Sequence, residues 1–186
     1  HYDLYMRYSE MARNIYSEYT DLVESFGLDE CWLDVSGSTE LFGSGQKIAD
    51  ELRRRIHFEL GVTASVGVSF NRVFAKLGSD MKKPDATTVI DSTHFRDIIW
   101  PLPVSDLLYV GKATTRKLAG YGIRTIGDLA QTDTNFLNRL LGKNGLMLWL
   151  FANGRDTSEV SGFGSKGIVK TIGNSTTAPR DLVSDE

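Results

Sequence analysis

The stretch from Thr63 to Ile90 decides the fold. It reads Thr-Ala-Ser-Val-Gly-Val-Ser-Phe-Asn-Arg-Val-Phe-Ala-Lys-Leu-Gly-Ser-Asp-Met-Lys-Lys-Pro-Asp-Ala-Thr-Thr-Val-Ile. Apolar residues alternate through its first eight positions, which predicts a strand. A helix should follow, because Ser69 or Asn71 can cap it. Pro84 ends that helix, and four β-type residues at the end of the stretch predict a second strand. The side of the helix predicted to be buried comprises Phe70, Val73, Phe74 and Leu77.

Upstream of this stretch the pattern is helix, hairpin, helix. Apolar residues at helical spacing predict helices over residues 4–19 and 46–60. Two short β-type runs between them, 21–26 and 31–35, predict a hairpin. Together with the strand, helix and strand of residues 63–90, these elements indicate an α+β domain with an antiparallel sheet and helices on one face.

Downstream, the prolines at positions 101 and 103 mark a domain boundary. The chain then becomes helical, with helices predicted at about 105–121, 126–131, 134–141 and 144–152. Residues rich in Gly, Ser and Thr follow and indicate a linker. We therefore predict three parts: an α+β domain over 1–102, a small all-helical domain over 103–160, and a linker with the start of another element over 161–186.

Composition excludes several classes of protein. The chain has 186 residues, of which 41% are hydrophobic and 24% are charged, so it is neither disordered nor fibrous. The net charge of −3 argues against a wholly basic nucleic-acid binder. Charge is uneven, however: residues 1–60 carry 12 acids and 6 bases, whereas residues 61–127 carry 5 acids and 9 bases. The single cysteine and the lack of a long apolar run or secretory signal lead us to expect a cytoplasmic protein with no membrane contact.

Asp29 and Glu30 are adjacent carboxylates at the predicted bend of the hairpin. On a regular strand neighbouring side chains point to opposite faces. Two adjacent carboxylates therefore converge on one ion only where the backbone bends, and Gly27 indicates such a bend. Carboxylate oxygens are the ligands that Mg²⁺ takes together with substrate phosphates. The pair is a candidate metal site with Asp34 close behind, and the alternative is a solvated acidic turn.

Arg72, Lys76 and Lys83 lie on the side of the predicted helix opposite its apolar face. Such a charged stripe is normally the solvated side of an amphipathic helix. The functional alternative is a positive rim for phosphate groups. Lys83 is the better candidate, because it precedes Pro84 and its long side chain can reach into a cleft. A lysine suits a triphosphate as a mobile point charge.

Residues 107–129 combine short helices with turns that contain glycine. Leu107-Leu-Tyr-Val-Gly-Lys112 joins two helices, and Gly122-Ile leads into another, which is a helix-hairpin-helix pattern. A glycine turn at a helix N-terminus exposes backbone N–H groups that can hold a DNA phosphate without reading bases. We predict DNA contacts at Val110, Gly111 and Lys112. The alternative is a simple corner between two helices.

Taken in order, these motifs resemble the Y family of translesion DNA polymerases, the DinB/UmuC group. Phe26-Gly-Leu-Asp-Glu-Cys-Trp-Leu-Asp34 is similar to the family's Ser-Ile-Asp-Glu-Ala-x-Leu-Asp motif. The segment 65–84 is similar to the family's long signature that ends in Lys-Pro. The segment 104–129 resembles the family's thumb, and Lys170-Thr-Ile-Gly173 resembles the Lys-Ser-Ile-Gly that leads into its little finger. The resemblance covers essentially the whole chain.

The resemblance implies roles residue by residue. Asp29 and Glu30 match the family's second and third metal carboxylates, and Glu30 would lie beside the metal that activates the primer 3′-hydroxyl. Lys83 matches the palm lysine that contacts the triphosphate of the incoming nucleotide. The Gly111 turn matches the thumb hairpin that grips the DNA backbone. Tyr109 stands where many members have the first glycine of that hairpin.

The family's first metal-binding Asp, its steric-gate aromatic residue and its fingers have no match in this chain. The resemblance therefore implies most of the palm and the whole thumb of an error-prone repair polymerase, inactive as this piece alone. The complete enzyme would transfer nucleotides from dNTP to a primer opposite damaged template, using two Mg²⁺ ions. Its implied partners are primer-template DNA, the incoming dNTP and a sliding clamp, the last through a C-terminal region outside this chain.

Two alternatives from other classes follow from the same residues. One is a non-catalytic DNA-binding module in which the helix-hairpin-helix half does the work. The other is a metal-dependent nuclease, which is disfavoured because no His or Lys general base lies near Asp29 and Glu30 in sequence.

Overall fold

The computed structural model describes residues 1–165, 171–173, 175, 176, 178 and 180. Lys170 and much of the predicted segment 161–186 lie outside the described residues. The helices are α1 (Tyr2–Ser17), α2 (Thr39–Phe42), α3 (Gly45–Arg55), α4 (Arg72–Met81), α5 (Phe95–Ile99), α6 (Lys112–Ala119), α7 (Ile126–Gln131), α8 (Thr134–Leu141) and α9 (Lys143–Ala152). The strands are β1 (Val23–Phe26), β2 (Glu30–Leu33), β3 (Val66–Ser69) and β4 (Thr87–Ile90). A π-helical turn, Ile56–Leu60, continues α3, and 3₁₀ turns lie at Ser36–Ser38 and Val104–Asp106.

The predicted hairpin is confirmed. Strands β1 and β2 pair antiparallel, with Val23 opposite Leu33 and Phe26 opposite Glu30. The turn between them begins at Gly27, whose φ of 78° is a conformation that glycine adopts without the steric cost of a side chain. The glycine therefore fixes where the hairpin reverses and where the two adjacent carboxylates lie.

The expectation of an antiparallel sheet is wrong for the second strand pair. Strands β3 and β4 pair parallel, with Val66 opposite Thr87 and Ser69 opposite Ile90. The physical reason is α4, which carries the chain back along β3 so that β4 starts at the same end and runs the same way. Among the described residues the two pairs form separate two-stranded sheets. The mixed α+β character of this half is confirmed.

Helix α4 begins as predicted and buries most of the predicted side. The Asn71 side chain accepts a hydrogen bond from the Phe74 N–H at 2.8 Å, so Asn71 caps the helix. Val73, Phe74 and Leu77 are buried. Phe70 is not, with 45% of the residue exposed, because it precedes the cap and only part of its ring packs, against the rings of Phe74 and Phe95.

Helix α1 buries only its second half. Ile15, and Tyr19 just after the helix, join the core formed with α3 and the π-helical turn. Leu4 and Tyr8, which belong to the helically spaced apolar residues that predicted a helix over 4–19, are 49% and 38% exposed. Within the described part of the chain, the first turns of α1 extend beyond the elements on which the helix packs.

A second, larger core runs from α4 through β4 and α5 into helices α6–α9. It crosses the predicted boundary at residues 102–103, so both parts share buried side chains. The Trp100 indole N–H donates to the Ala152 carbonyl at 3.1 Å, and the Ile126 N–H donates to the Leu102 carbonyl at 2.9 Å. The division into two domains stays a prediction. No helix in the described part of the chain combines the length and apolarity that crossing a bilayer requires.

The helices after the boundary follow the prediction with one exception. Helices α7 and α8 match it, and α9 begins one residue earlier. The helical range predicted at 105–121 is not continuous: α6 is the α-helix there, a 3₁₀ turn precedes it, and the residues between them form the break that the helix-hairpin-helix pattern predicted. The interruption has a backbone cause, because Tyr109 has a φ of 68° and Gly111 is extended.

Candidate functional site

The structure places both candidate metal ligands at the end of the β1–β2 hairpin. Asp29 lies in the turn and is exposed. Glu30 is the first residue of β2, and 40% of its side chain is exposed. The reversal at Gly27 therefore leaves both carboxylates accessible to a ligand from solvent.

Helix α4 meets this end of the hairpin through Lys76. The Lys76 ammonium nitrogen lies 3.1 Å from Glu30 Oε1, and only 16% of the Lys76 side chain is exposed. The sequence pattern assigned Lys76 to the outer side of an amphipathic helix. The structure shows instead that this side faces the hairpin, so Lys76 belongs to the site although it was not selected as a site residue.

Lys83 is connected to Glu30 through two further side chains. The Lys83 ammonium nitrogen lies 2.8 Å from Asp80 Oδ1, and the other oxygen of Asp80 accepts a hydrogen bond from Lys76. We call Glu30, Lys76, Asp80 and Lys83 the charge row. Lys83 itself stays accessible, with 61% of its side chain exposed. Sequence reasoning missed Asp80, although its spacing from Lys76 and Lys83 is the spacing of helical ion pairs.

The charge row changes the protonation of its members. Partial burial by itself would lower the pKa of Lys76, but hydrogen bonds to Asp80 and Glu30 raise it above its ordinary value. Partial burial likewise opposes ionisation of Asp80, and hydrogen bonds from Lys76 and Lys83 outweigh it and lower the Asp80 pKa. Both groups are therefore firmly charged at neutral pH.

Asp29 and Glu30 fit a divalent cation that takes its other ligands from phosphate and water. Mg²⁺ is usually bound by one or two carboxylates together with substrate phosphates. Asp34 does not join the pair, because it lies beyond the other end of β2, four residues from Glu30, where its Oδ1 accepts a hydrogen bond from the Ser36 N–H at 2.9 Å. Burial raises the pKa of the Cys31 thiol and keeps it neutral. Within the described residues no group of three or more His, Cys, Asp or Glu side chains is placed to hold a metal ion.

The turn before α6 presents backbone amides without a side-chain cap. Gly111 is the N-cap residue, and it makes no side-chain hydrogen bond to the first turn. The first N–H groups of a helix have no partner within the helix, so those that begin at Lys112 are open to an anion. The predicted contact at Val110 is less favourable, because the Val110 N–H already donates to the Leu107 carbonyl at 3.0 Å and the residue is buried.

The next hairpin, before α7, is different because it caps itself. Thr125 accepts from the Asp128 N–H, and Asp128 accepts in return from the N–H groups of Arg124 and Thr125. These hydrogen bonds lower the pKa of Asp128. Of the two helix starts, the one at α6 is therefore the one available to a phosphate.

Comparison with known proteins adds the family. Residues 1–80 match the family model described as the impB/mucB/samB family, and residues 105–156 match that of the DNA polymerase-iota thumb domain. All of the chain is similar to curated enzymes named DNA polymerase IV, with 62% identity to that of Acetivibrio thermocellus and 38% to that of Clostridium acetobutylicum, each over 185 residues. The chain covers 46% of each of these two relatives, so it spans about half their length.

Solved structures give the same result. A Y-family DNA polymerase chimera of Dbh and Dpo4 matches with a TM-score of 0.81 and 27% identity, over 89% of this chain and 49% of that one. The chain belongs to the Y family of DNA polymerases. A structure titled as the insertion ternary complex of Dbh DNA polymerase matches this Y-family chain with a TM-score of 0.79 and 26% identity, over 86% of this chain and 47% of that one. The predicted Y-family resemblance and its helical thumb are thus confirmed.

Proposed function

We propose that this chain provides the palm and thumb of a DinB-type polymerase that adds nucleotides to a primer 3′ end opposite damaged template. One observation carries the proposal. The hairpin end with Asp29 and Glu30 lies against α4, and α4 brings the exposed Lys83 to the same side through the charge row. This arrangement supports one site in which carboxylates would hold a metal ion and a cation would bind a polyphosphate.

Each part of the site would have its own task. Asp29 and Glu30 would hold Mg²⁺. The complete site would contain two such ions, which would stabilise the attacking and leaving oxygens of phosphoryl transfer. Lys83 would bind the triphosphate of the incoming dNTP and balance the charge of the leaving pyrophosphate. The α6 N-terminus, with Gly111 and Lys112, would hold a phosphate of the primer-template DNA.

The proposal also covers the division of the chain. Residues 1–102 would form the palm, 103–160 the thumb, and 161–186 the linker toward a little finger. A sliding clamp would bind through a region that this chain does not contain. We expect the 186 residues alone to extend no primer, because the resemblance matches only two of the family's three metal carboxylates.

A grafted enzyme tests the catalytic role. The 186 residues would replace their equivalents in the DNA polymerase IV of A. thermocellus, to which they are 62% identical. The graft should extend a primer with Mg²⁺, and Glu30→Ala should reduce extension by about 10³-fold or more while the Kd for primer-template changes less than about twofold. Glu40→Ala, an exposed carboxylate outside the site, is the matched control. Undiminished extension by Glu30→Ala would refute the metal role, and extension by the isolated 186 residues would refute their inactivity.

The same protein separates the polymerase from a non-catalytic DNA-binding module. Binding of duplex DNA by the 186 residues should weaken as salt rises, and Lys112→Met should reduce the log–log salt slope by about one. If the 186 residues bind DNA in a salt-dependent way and the grafted enzyme extends no primer, the binding module is favoured. Extension by the graft with loss on Glu30→Ala would favour the polymerase.

A further inference from the structure

The two lysines of the charge row share one carboxylate. Asp80 binds Lys76 through Oδ2 and Lys83 through Oδ1, the latter at 2.8 Å, so each oxygen serves a single ammonium group. Lys76 in turn reaches Glu30 at 3.1 Å. Charges therefore alternate along the row, and Asp80 is the only acidic member on α4 itself.

Lys83 and Asp80 differ in how freely their side chains can move. A lysine has a long flexible stem, and 61% of the Lys83 side chain is exposed, so nothing in its own packing fixes its ammonium group. Asp80 has a short side chain on a regular helix, and 45% of it is exposed. Since Asp80 holds both lysines, it restricts Lys83 and also separates two like charges that would otherwise repel each other.

We propose that Asp80 is a positioning residue that holds Lys83 where the triphosphate of the incoming nucleotide binds. The proposal rests on the proposed function, because it takes Lys83 as the phosphate ligand. Asp80 itself would not touch the nucleotide. It would reduce the conformational entropy that the Lys83 side chain loses when it binds the triphosphate. The nucleotide would therefore bind more tightly. An ordinary pair of helical ion bridges would instead contribute only to the stability of α4.

A double-mutant cycle in the grafted enzyme tests this role. Asp80→Asn should raise the KM for dNTP by about tenfold with a much smaller change in kcat, because the lost interaction concerns binding. Asp80→Glu, which keeps a carboxylate within reach of both lysines, should restore most of the affinity. In a Lys83→Met background, Asp80→Asn should add less than about twofold, because the residue through which Asp80 acts is already gone.

Glu59→Gln is the matched control. Glu59 also pairs with a basic residue four positions away on a helix, its side chain is also 45% exposed, and it lies far from the charge row in sequence. It should change neither KM nor kcat. A merely structural Asp80 would lower the melting temperature and leave the KM unchanged, or would raise the KM equally in the presence and absence of Lys83, and either result would overturn the proposal.

A measurement on the 186-residue chain separates this inference from the proposed function. Side-chain relaxation of ¹³Cε-labelled lysines should show that Lys83 becomes more mobile in Asp80→Asn but not in Glu59→Gln. Unchanged Lys83 mobility would overturn the positioning role whatever the enzyme does. A graft that extends no primer, combined with increased Lys83 mobility, would instead count against the proposed function alone.

Discussion

The guanidinium group of Arg72 lies over the indole ring of Trp32, with its central carbon 4.1 Å from the ring centroid. The same residues share a hydrogen bond from the indole N–H to the Arg72 carbonyl, at 3.0 Å. Trp32 belongs to β2 and Arg72 opens α4. This pair therefore joins the hairpin that carries Glu30 to the helix that carries Lys83, and it sets the distance across which the charge row forms.

Replacing Arg72 with Lys should weaken this connection although the charge is retained. A lysine has no planar face to stack on Trp32 and cannot use several N–H groups at once, whereas Arg72 also bonds Glu24 and the Glu159 carbonyl. We expect the free energy of unfolding to fall by about 1 kcal/mol. Urea unfolding followed by tryptophan fluorescence measures this, with the exposed Arg54→Lys as control. Equal stability of the two lysine variants would contradict the role of the stacking contact.

Gly67 should tolerate no side chain. A Cβ atom at this position would lie 1.8 Å from the Ala75 carbonyl oxygen and 2.6 Å from the Ser79 nitrogen, both in the backbone of α4. Gly67→Ala must therefore push α4 away from β3, and overpacking of this kind costs roughly 1–3 kcal/mol or more. Because α4 carries the charge row, the grafted enzyme should lose nucleotide affinity as well as stability.

Gly37→Ala is the control for this substitution, since nothing lies within 4 Å of a Cβ atom there. Chemical denaturation and the KM for dNTP are the two measurements. A Gly67→Ala variant as stable as Gly37→Ala would show that α4 does not lie directly on β3 in solution.

The parts of this fold that depend on local patterns could be predicted from the sequence. Gly27 predicted the bend of the hairpin, and Ser69 or Asn71 predicted the start of α4, which Asn71 caps. The direction of β4 could not be predicted in this way. Each strand pattern records only which faces are apolar, and the parallel pairing follows from the path of α4 between the two strands.

Only part of the candidate site could be predicted, because only part of it depends on local sequence patterns. Adjacent carboxylates at a bend are visible in sequence, and Lys83 is visible by its place before Pro84. The contact of Lys76 with Glu30 was not, because a charged stripe looks the same whether it faces water or another charged element. The Val110 N–H was expected to be open, and only the turn geometry shows that Leu107 already accepts its hydrogen bond.

Glu24 should anchor the segment that follows the thumb. Its Oε2 accepts a hydrogen bond from the Ser161 N–H at 2.8 Å, while Oε1 binds Arg72. Glu24→Gln removes the charge from both interactions, and hydrogen bonds to a charged group contribute more than neutral ones. We expect amide hydrogen exchange at Ser161 to become about tenfold faster. Glu40→Gln is the control, and unchanged exchange at Ser161 would refute the anchor.

Acid should release the same anchor. Partial burial opposes ionisation of Glu24, but hydrogen bonds from Ser161 and Arg72 outweigh it, so its pKa lies below the ordinary 4.5. A carboxylate with a lowered pKa contributes stability that is fully present above its ordinary pKa and declines as the pH falls below it. The amide chemical shift of Ser161 should therefore stay constant from pH 7 to about pH 5 and move below that range. A shift that moves with its midpoint at or above the ordinary pKa of 4.5 would contradict the interaction.

Tyr109 occupies a backbone conformation that suits glycine better. Its φ is 68°, and a residue with a side chain pays about 1–2 kcal/mol for the left-handed region. Tyr109→Gly removes this cost. The larger conformational entropy of glycine in the unfolded chain offsets part of the resulting gain in stability, by about 0.5–1 kcal/mol. We therefore expect Tyr109→Gly to be as stable as the native chain or slightly more stable. The contact between the Tyr109 and Phe151 rings, with centroids 6.3 Å apart and Tyr109 58% exposed, is too weak to reverse this order.

Tyr109→Val provides the opposite case. A β-branched side chain fits a positive φ worst, so this variant should lose about 1–2 kcal/mol of the free energy of unfolding. Chemical denaturation of the three proteins should rank glycine at or above tyrosine and valine last. Because this turn precedes the open amides of α6, the glycine variant should also bind duplex DNA at least as tightly as the native chain. A valine variant as stable as the native chain would show that Tyr109 does not adopt the left-handed conformation in solution.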